Sequence, residues 1–205
     1  MKKEINIDFK FKGNREYIQG PDIYDSVIKY LKEAFYKEIE NIDMTFHKTA
    51  STNLSGFLVD EKDTIEIKDY IVIFKFKSQG IDYILGLKEN EENITERVEY
   101  PEEKIIELTE LLLEEKSIVL GREIEFSGIE KIVSLNKALL QNLYPDVKGK
   151  WYFTRLQISE PISNQKDDKY KIILLRNMNF QLTKSSIEIN GKQIGYIYFT
   201  MVKKS

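Results

Sequence analysis

The sequence predicts an α+β protein of two units, each one long helix followed by a run of antiparallel strands. Two segments carry the wide apolar stripe of a helix set against sheet, one from Pro21 and one over roughly Ile129 to Tyr144. After each come strand-like runs rich in β-branched and aromatic residues. Two turn dipeptides, Gln79-Gly80 and Asn190-Gly191, recur at comparable places in the two halves, as do strand-ending glycines at Gly13 and Gly128. The expected limits are residues 1–92 for the first unit, 93–120 for a connecting segment with a helix, and 121–205 for the second unit.

In chain order, residues 4–13 alternate apolar and polar and read as an opening strand with Ile5, Ile7, Phe9 and Phe11 on one face. The first helix then sets Ile23, Val27, Leu31 and Phe35 on one stripe, widened by Tyr24, Ile28 and Ala34. Strands are expected over 42–51, 68–78 and 81–89. From Pro101 the connecting segment reads as a helix, with Glu102 and Glu103 at its positive end and a stripe of Ile105, Leu108, Leu111 and Leu112. Residues 123–128 read as a short opening strand for the second half. Its helix carries Ile129, Ile132, Val133, Leu139, Leu140 and Leu143 until Pro145 stops it. Strands follow over 151–158, 169–189 and 193–202.

Composition excludes several chemistries. With 205 residues, 41% hydrophobic and 32% charged, the chain is long and apolar enough to bury a core. Zero cysteines exclude disulfides, thiolate metal sites and a cysteine nucleophile, and a single histidine excludes a multi-histidine metal site within one chain. With 31 basic against 34 acidic residues the net charge is −3, so no global field draws nucleic acid. No apolar run approaches the roughly 18 residues of a membrane span, and the N-terminus enters alternation without an apolar leader, so the expected location is cytoplasmic. In Phe9-Lys10-Phe11-Lys12 and Phe74-Lys75-Phe76-Lys77, alternation sends rings and charges to opposite faces, which suits a solvated lysine face better than a nucleic-acid platform. No phosphate-binding glycine loop or nucleophile elbow is present, and no cofactor is expected.

The order strand, helix, strand meander, twice in one chain, resembles a double hotdog fold. In the second half RLQISEPI (155–162), the polar spacer NQKDDK, a long strand pair and INGKQIGYIYFTMV (189–202) resemble the hydroxyacyl-thioester dehydratases and their hotdog relatives. In the first half YIQGPDIYDSVIKYL (17–31) resembles the stretch in which a glycine opens the central helix and a carboxylate lies one turn inside it. The resemblance implies an acyl-thioester ligand on coenzyme A or an acyl carrier protein, Gly20 polarising its carbonyl, and Asp25 as the helix carboxylate. It implies dehydratase, hydratase or thioesterase chemistry at one site between the units, in fatty-acid or polyketide metabolism. The chain departs from the family in lacking a histidine upstream of the helix, since its only one, His47, follows it. A non-catalytic hotdog module binding an acyl ligand, a carrier protein or a partner subunit is the alternative, and a homo-oligomer is compatible with either.

Each candidate also has a structural reading. Gly20 before Pro21 can expose helix N–H groups to a carbonyl or merely start a helix. Asp25 can be a general base or pair with Lys29 at i+4. Asp22 can touch substrate or simply favour the helix dipole. His47 shares a strand face with Thr45 and Thr49 and can exchange a proton near neutral pH or stand solvated. Asn136, near an apolar stripe, can bond a ligand or be satisfied by backbone. Arg15 and Tyr17, just before the first helix, can contact a phosphate or hydroxyl or be ordinary surface.

Overall fold

The computed structural model describes residues 3–35, 39–60 and 69–202. The chain divides into two compact units, Met1–Pro101 with Ser159–Pro161, and Glu102–Ile158 with Ile162–Ser205. The first contains β1 (Lys3–Ile7), β2 (Phe11–Lys12), α1 (Gly20–Phe35), β3 (Glu40–Phe46), β4 (Thr52–Asp60), β5 (Val72–Ser78), β6 (Ile81–Asn93) and β7 (Arg97–Val98). The second contains α2 (Glu103–Glu107), β8 (Thr109–Leu112), β9 (Ser117–Leu120), α3 (Gly128–Leu143), β10 (Lys150–Ile158), β11 (Tyr170–Met178), β12 (Leu182–Ile189) and β13 (Lys192–Val202).

In the first unit five strands lie in the order β1-β4-β6-β5-β3, with antiparallel neighbours, and β2 and β7 form a separate parallel pair. The helix α1 buries Ile23, Tyr24, Val27, Ile28 and Leu31, as its stripe predicts. Its aromatic contacts show which strands receive it: Tyr24 lies 6.4 Å from Phe74 on β5, and Phe35 lies 4.8 Å from Tyr83 on β6. Gln79 and Gly80, with φ of 54° and 77°, close the β5–β6 hairpin in the left-handed region that its tight turn requires.

In the second unit the order is β10-β13-β12-β11-β9-β8. The helix α3 packs against β9, β11 and α2 and buries Ile129, Ile132, Leu135, Leu139 and Leu140 completely. Asn190 and Gly191, with φ of 53° and 79°, close the β12–β13 hairpin. Both units thus set one 16-residue helix against antiparallel sheet and follow it with strands, β3 to β7 in the first and β10 to β13 in the second. They differ in pairing. In the second unit β11, β12 and β13 form a meander, whereas in the first β6 lies between β4 and β5.

Four expectations need correction. The opening run splits into β1 and β2, because Phe9 turns its N–H onto Asn53 Oδ1 at 2.8 Å and β2 leaves to pair in parallel with β7. A strand over Thr52–Asp60, unassigned by pattern, joins β1 to β6. The helix expected from Pro101 stops at Glu107, and a β8–β9 hairpin replaces its second half, turning through Lys116 at φ 50°. Pairing of β9 with β11 buries Ile118 and Leu120, which outweighs the helical spacing of the segment. Residues 123–128 form no strand; instead Ser127 caps α3 in a capping box with Glu130. Truncating that cap, Ser127→Ala, is expected to lower stability by about 1 kcal/mol in chemical denaturation.

Candidate functional site

The start of α1 is built by a short set of main-chain bonds. Ile18 donates its N–H to the Ala50 carbonyl at 2.8 Å, and the Gln19 carbonyl accepts from Asp22 at 3.0 Å and Ile23 at 3.3 Å. Pro21 has no N–H to place. The Gly20 N–H meets no hydrogen-bond acceptor among the described residues. The helix dipole therefore ends on an amide that can still serve a ligand.

A charged and aromatic cluster stands beside it. Lys12 forms an ion pair with Asp22 Oδ1, with side chains only 19% and 17% exposed. The Tyr100 ring lies under two cations, Lys12 at 5.0 Å and Arg15 at 5.5 Å. Arg97 lies 5.2 Å from the Phe11 ring and donates Nη1–H to the Arg15 carbonyl at 2.8 Å. The β2–β7 ladder, Phe11 opposite Arg97 and Lys12 opposite Val98, makes this convergence possible. Local pattern could place Arg15, Gly20 and Asp22 together. It could not add Arg97 and Tyr100, which arrive from far along the chain.

Asp25 is half-buried in the second turn of α1, three residues past Asp22 and so on the same side of the helix. Lys29, four residues further along the helix, is exposed. Tyr17 is half-buried just before the helix. His47 lies one residue beyond β3, exposed, with its N–H on the Ile71 carbonyl at 2.8 Å. It therefore does not sit on a strand face, as alternation predicts, but in the loop that reaches Ala50 three residues later. Because Ala50 holds Ile18, that loop is tethered to the residues leading into α1.

Glu89 fixes the far end of the same loop, accepting from the Ser51 and Thr52 N–H groups and from Ser51 Oγ. The Ser51 N–H foremost, against a smaller opposing effect of burial, lowers the Glu89 pKa from its ordinary 4.5. A lowered carboxylate pKa means the stabilisation is present above the unfolded value and is lost as pH falls through the folded one. The Ser51 and Thr52 amide resonances should accordingly titrate with a midpoint below 4.5, and Glu89→Gln should abolish the transition.

The start of α3 is closed by its own chain. Gly128 donates its N–H to Asn164 Oδ1 at 2.6 Å, and Ser127 Oγ accepts from Glu130 at 3.3 Å. Beside it Asp168, nearly buried, accepts from Asn190 Nδ2 at 2.8 Å and the Gln165 N–H at 3.2 Å. Burial, then the Asp168 charge, raises the Tyr170 pKa, and desolvation lowers that of Lys131, which lies 5.3 Å over the Tyr170 ring. Asn136 belongs to this second unit. It is fully buried, and neither Oδ1 nor Nδ2 has a hydrogen-bond partner among the described residues, so satisfaction by their backbone does not account for it. Among the described residues no group of acidic or histidine side chains could hold a metal ion, and no helix is long and apolar enough to cross a membrane.

No family model matches the sequence, and no curated protein matches it. Solved structures do. A tesB protein of Mycobacterium avium subs paratuberculosis aligns with a TM-score of 0.53 at 9% identity over 97% of this chain and 93% of its own. The dehydratase domain of PpsC from Mycobacterium tuberculosis, in complex with C12:1-CoA, aligns at 0.52 and 6% identity over 98% of this chain and 93% of its own. An acyl-ACP thioesterase from Bacteroides thetaiotaomicron aligns at 0.50 and 7% identity over 98% and 97%. The fold is thus the double hotdog, with two hotdog-like units in one α+β chain.

Proposed function

We propose that the protein binds an acyl thioester, carried on coenzyme A or an acyl carrier protein, at the N-terminal end of α1. The observation that carries the proposal is the contrast between the two helix starts: the Gly20 N–H meets no acceptor among the described residues, whereas the Gly128 N–H is taken by Asn164. A backbone donor at a helix N-terminus stabilises the negative charge that gathers on a thioester oxygen when the carbonyl is attacked or its α-proton leaves. Hotdog-fold neighbours named as thioesterases and dehydratases agree with that ligand class. The cations Lys12, Arg15 and Arg97 suit an anionic carrier, with Tyr17 and Asp22 beside the entrance.

In this proposal Asp25, one helical turn from Gly20, moves the proton in dehydration, hydration or hydrolysis. His47 assists from the tethered loop that follows β3. Asn136 would bond ligand within the second unit. A panel of acyl-CoA and 3-hydroxyacyl thioesters assayed with wild type and Asp25→Asn tests the assignment. Turnover should fall at least about 100-fold in the variant. Unchanged turnover would remove Asp25 from the chemistry. The exposure of His47 favours a second reading, a non-catalytic module, whose signature is thioester binding without turnover.

A further inference from the structure

We infer that Gln19 contributes its side-chain amide as a second donor, beside the Gly20 N–H, to the carbonyl oxygen of the bound thioester. The inference rests on the acyl-thioester reading above and adds a residue to it. Gln19 is 9% exposed, and its Nε2 is buried without a hydrogen-bond partner among the described residues. An amide donor left so costs about 1 to 3 kcal/mol, and native interiors hold few of them. Its backbone is not at fault, since the Gln19 carbonyl takes the first two N–H bonds of α1. Only the side chain is left waiting.

Capping does not explain the residue. A helix start prefers Ser, Thr, Asp or Asn, whose short side chains accept from the first-turn N–H groups, and α3 uses Ser127 in that way. The buried end of Gln19 presents donors instead. Its sequence neighbours Ile18, Pro21 and Ile23 are buried as well, so water competes poorly there. A carbonyl oxygen has two lone pairs and can accept two hydrogen bonds. Two donors on consecutive residues, one from backbone and one from side chain, would match that requirement, and their effect grows as the oxygen gains charge in a water-poor setting.

The test is calorimetric titration of wild type and Gln19→Met with straight-chain acyl-CoA thioesters and the matching S-alkyl-CoA thioethers, in which a methylene replaces the carbonyl. Wild type should prefer the thioester. Gln19→Met should lose about tenfold of that preference, the worth of one good hydrogen bond, while thioether affinity and thermal stability hold or rise. Preference undiminished in Gln19→Met, with wild type binding thioesters, overturns the role of Gln19 and leaves the acyl-thioester reading standing. A wild type that binds no thioester of the panel removes that reading and this inference with it. Loss of thioester and thioether binding in equal measure assigns Gln19 a merely structural part. Gln19→Glu, which keeps the length but presents an acceptor, decides the matter by the same preference if the methionine variant does not fold.

Discussion

Asn136→Leu is expected to raise the stability of the protein by about 1 to 3 kcal/mol, read as a shift in the denaturant midpoint at unchanged slope. Both amide atoms of Asn136 lack partners among the described residues at zero exposure, so the unfolded chain, hydrogen-bonded to water, recovers energy that the native state forgoes. Leucine has the same branched shape, replaces two unmet polar atoms by methyl groups and forms helix more readily. Adjacent helix positions already hold buried Leu135, Leu139 and Leu140. The same variant discriminates the roles of the residue. Higher stability with unaltered thioester affinity removes Asn136 from the ligand site, whereas higher stability with weakened affinity is the trade expected of a binding residue. Lower stability would show that the amide is satisfied after all.

Gly128→Ala is expected to act in the opposite direction. A Cβ at that position would stand 2.4 Å from the Ser163 carbonyl oxygen and 2.4 Å from Ile162 Cγ2. The carbonyl is main chain and cannot swing aside as a flexible side chain can. Overpacking of this kind costs about 1 to 3 kcal/mol. Alanine gains up to about 1 kcal/mol in helix propensity over glycine, so a net loss is expected. Thermal melting against wild type reads it, and an equally stable variant would show that residues 162–164 close less tightly over α3 than their contacts indicate. The closure distinguishes this helix start, whose Gly128 N–H is taken by Asn164, from the one at Gly20.

Local pattern identified the two long helices within a residue or two at their starts, since a wide apolar stripe marks a helix laid on sheet wherever it occurs. It also placed Gln79-Gly80 and Asn190-Gly191 in hairpins, because a two-residue turn needs backbone geometry that few dipeptides supply. Segments whose partners are distant were read less well. The segment from Pro101, with its helical stripe of Ile105, Leu108, Leu111 and Leu112, leaves the helix after Glu107 for a hairpin, as pairing with β11 buries Ile118 and Leu120. The Ser127-x-x-Glu130 capping box was present in the sequence and could have excluded a strand there. Gly20 and Asp25 were singled out through the family resemblance, and the structure places them at the start and in the second turn of α1. Lys12 was read as one of a solvated lysine row, because nothing local reveals that Asp22 and Tyr100 converge on it.

By itself the sequence determined the class of protein: two amphipathic helices, each with strands to wrap it, and no cysteine or histidine cluster to support thiol or metal chemistry. Periodicity and composition are properties of neighbouring residues, and they survive without knowledge of the fold. Which helix start is closed, which buried amides go unmet and which strand lies beside which were decided only in three dimensions. Hydrogen-bond satisfaction and close approach depend on atoms brought together from distant parts of the chain, as Asn164 is brought to Gly128, and no spacing along the chain records them.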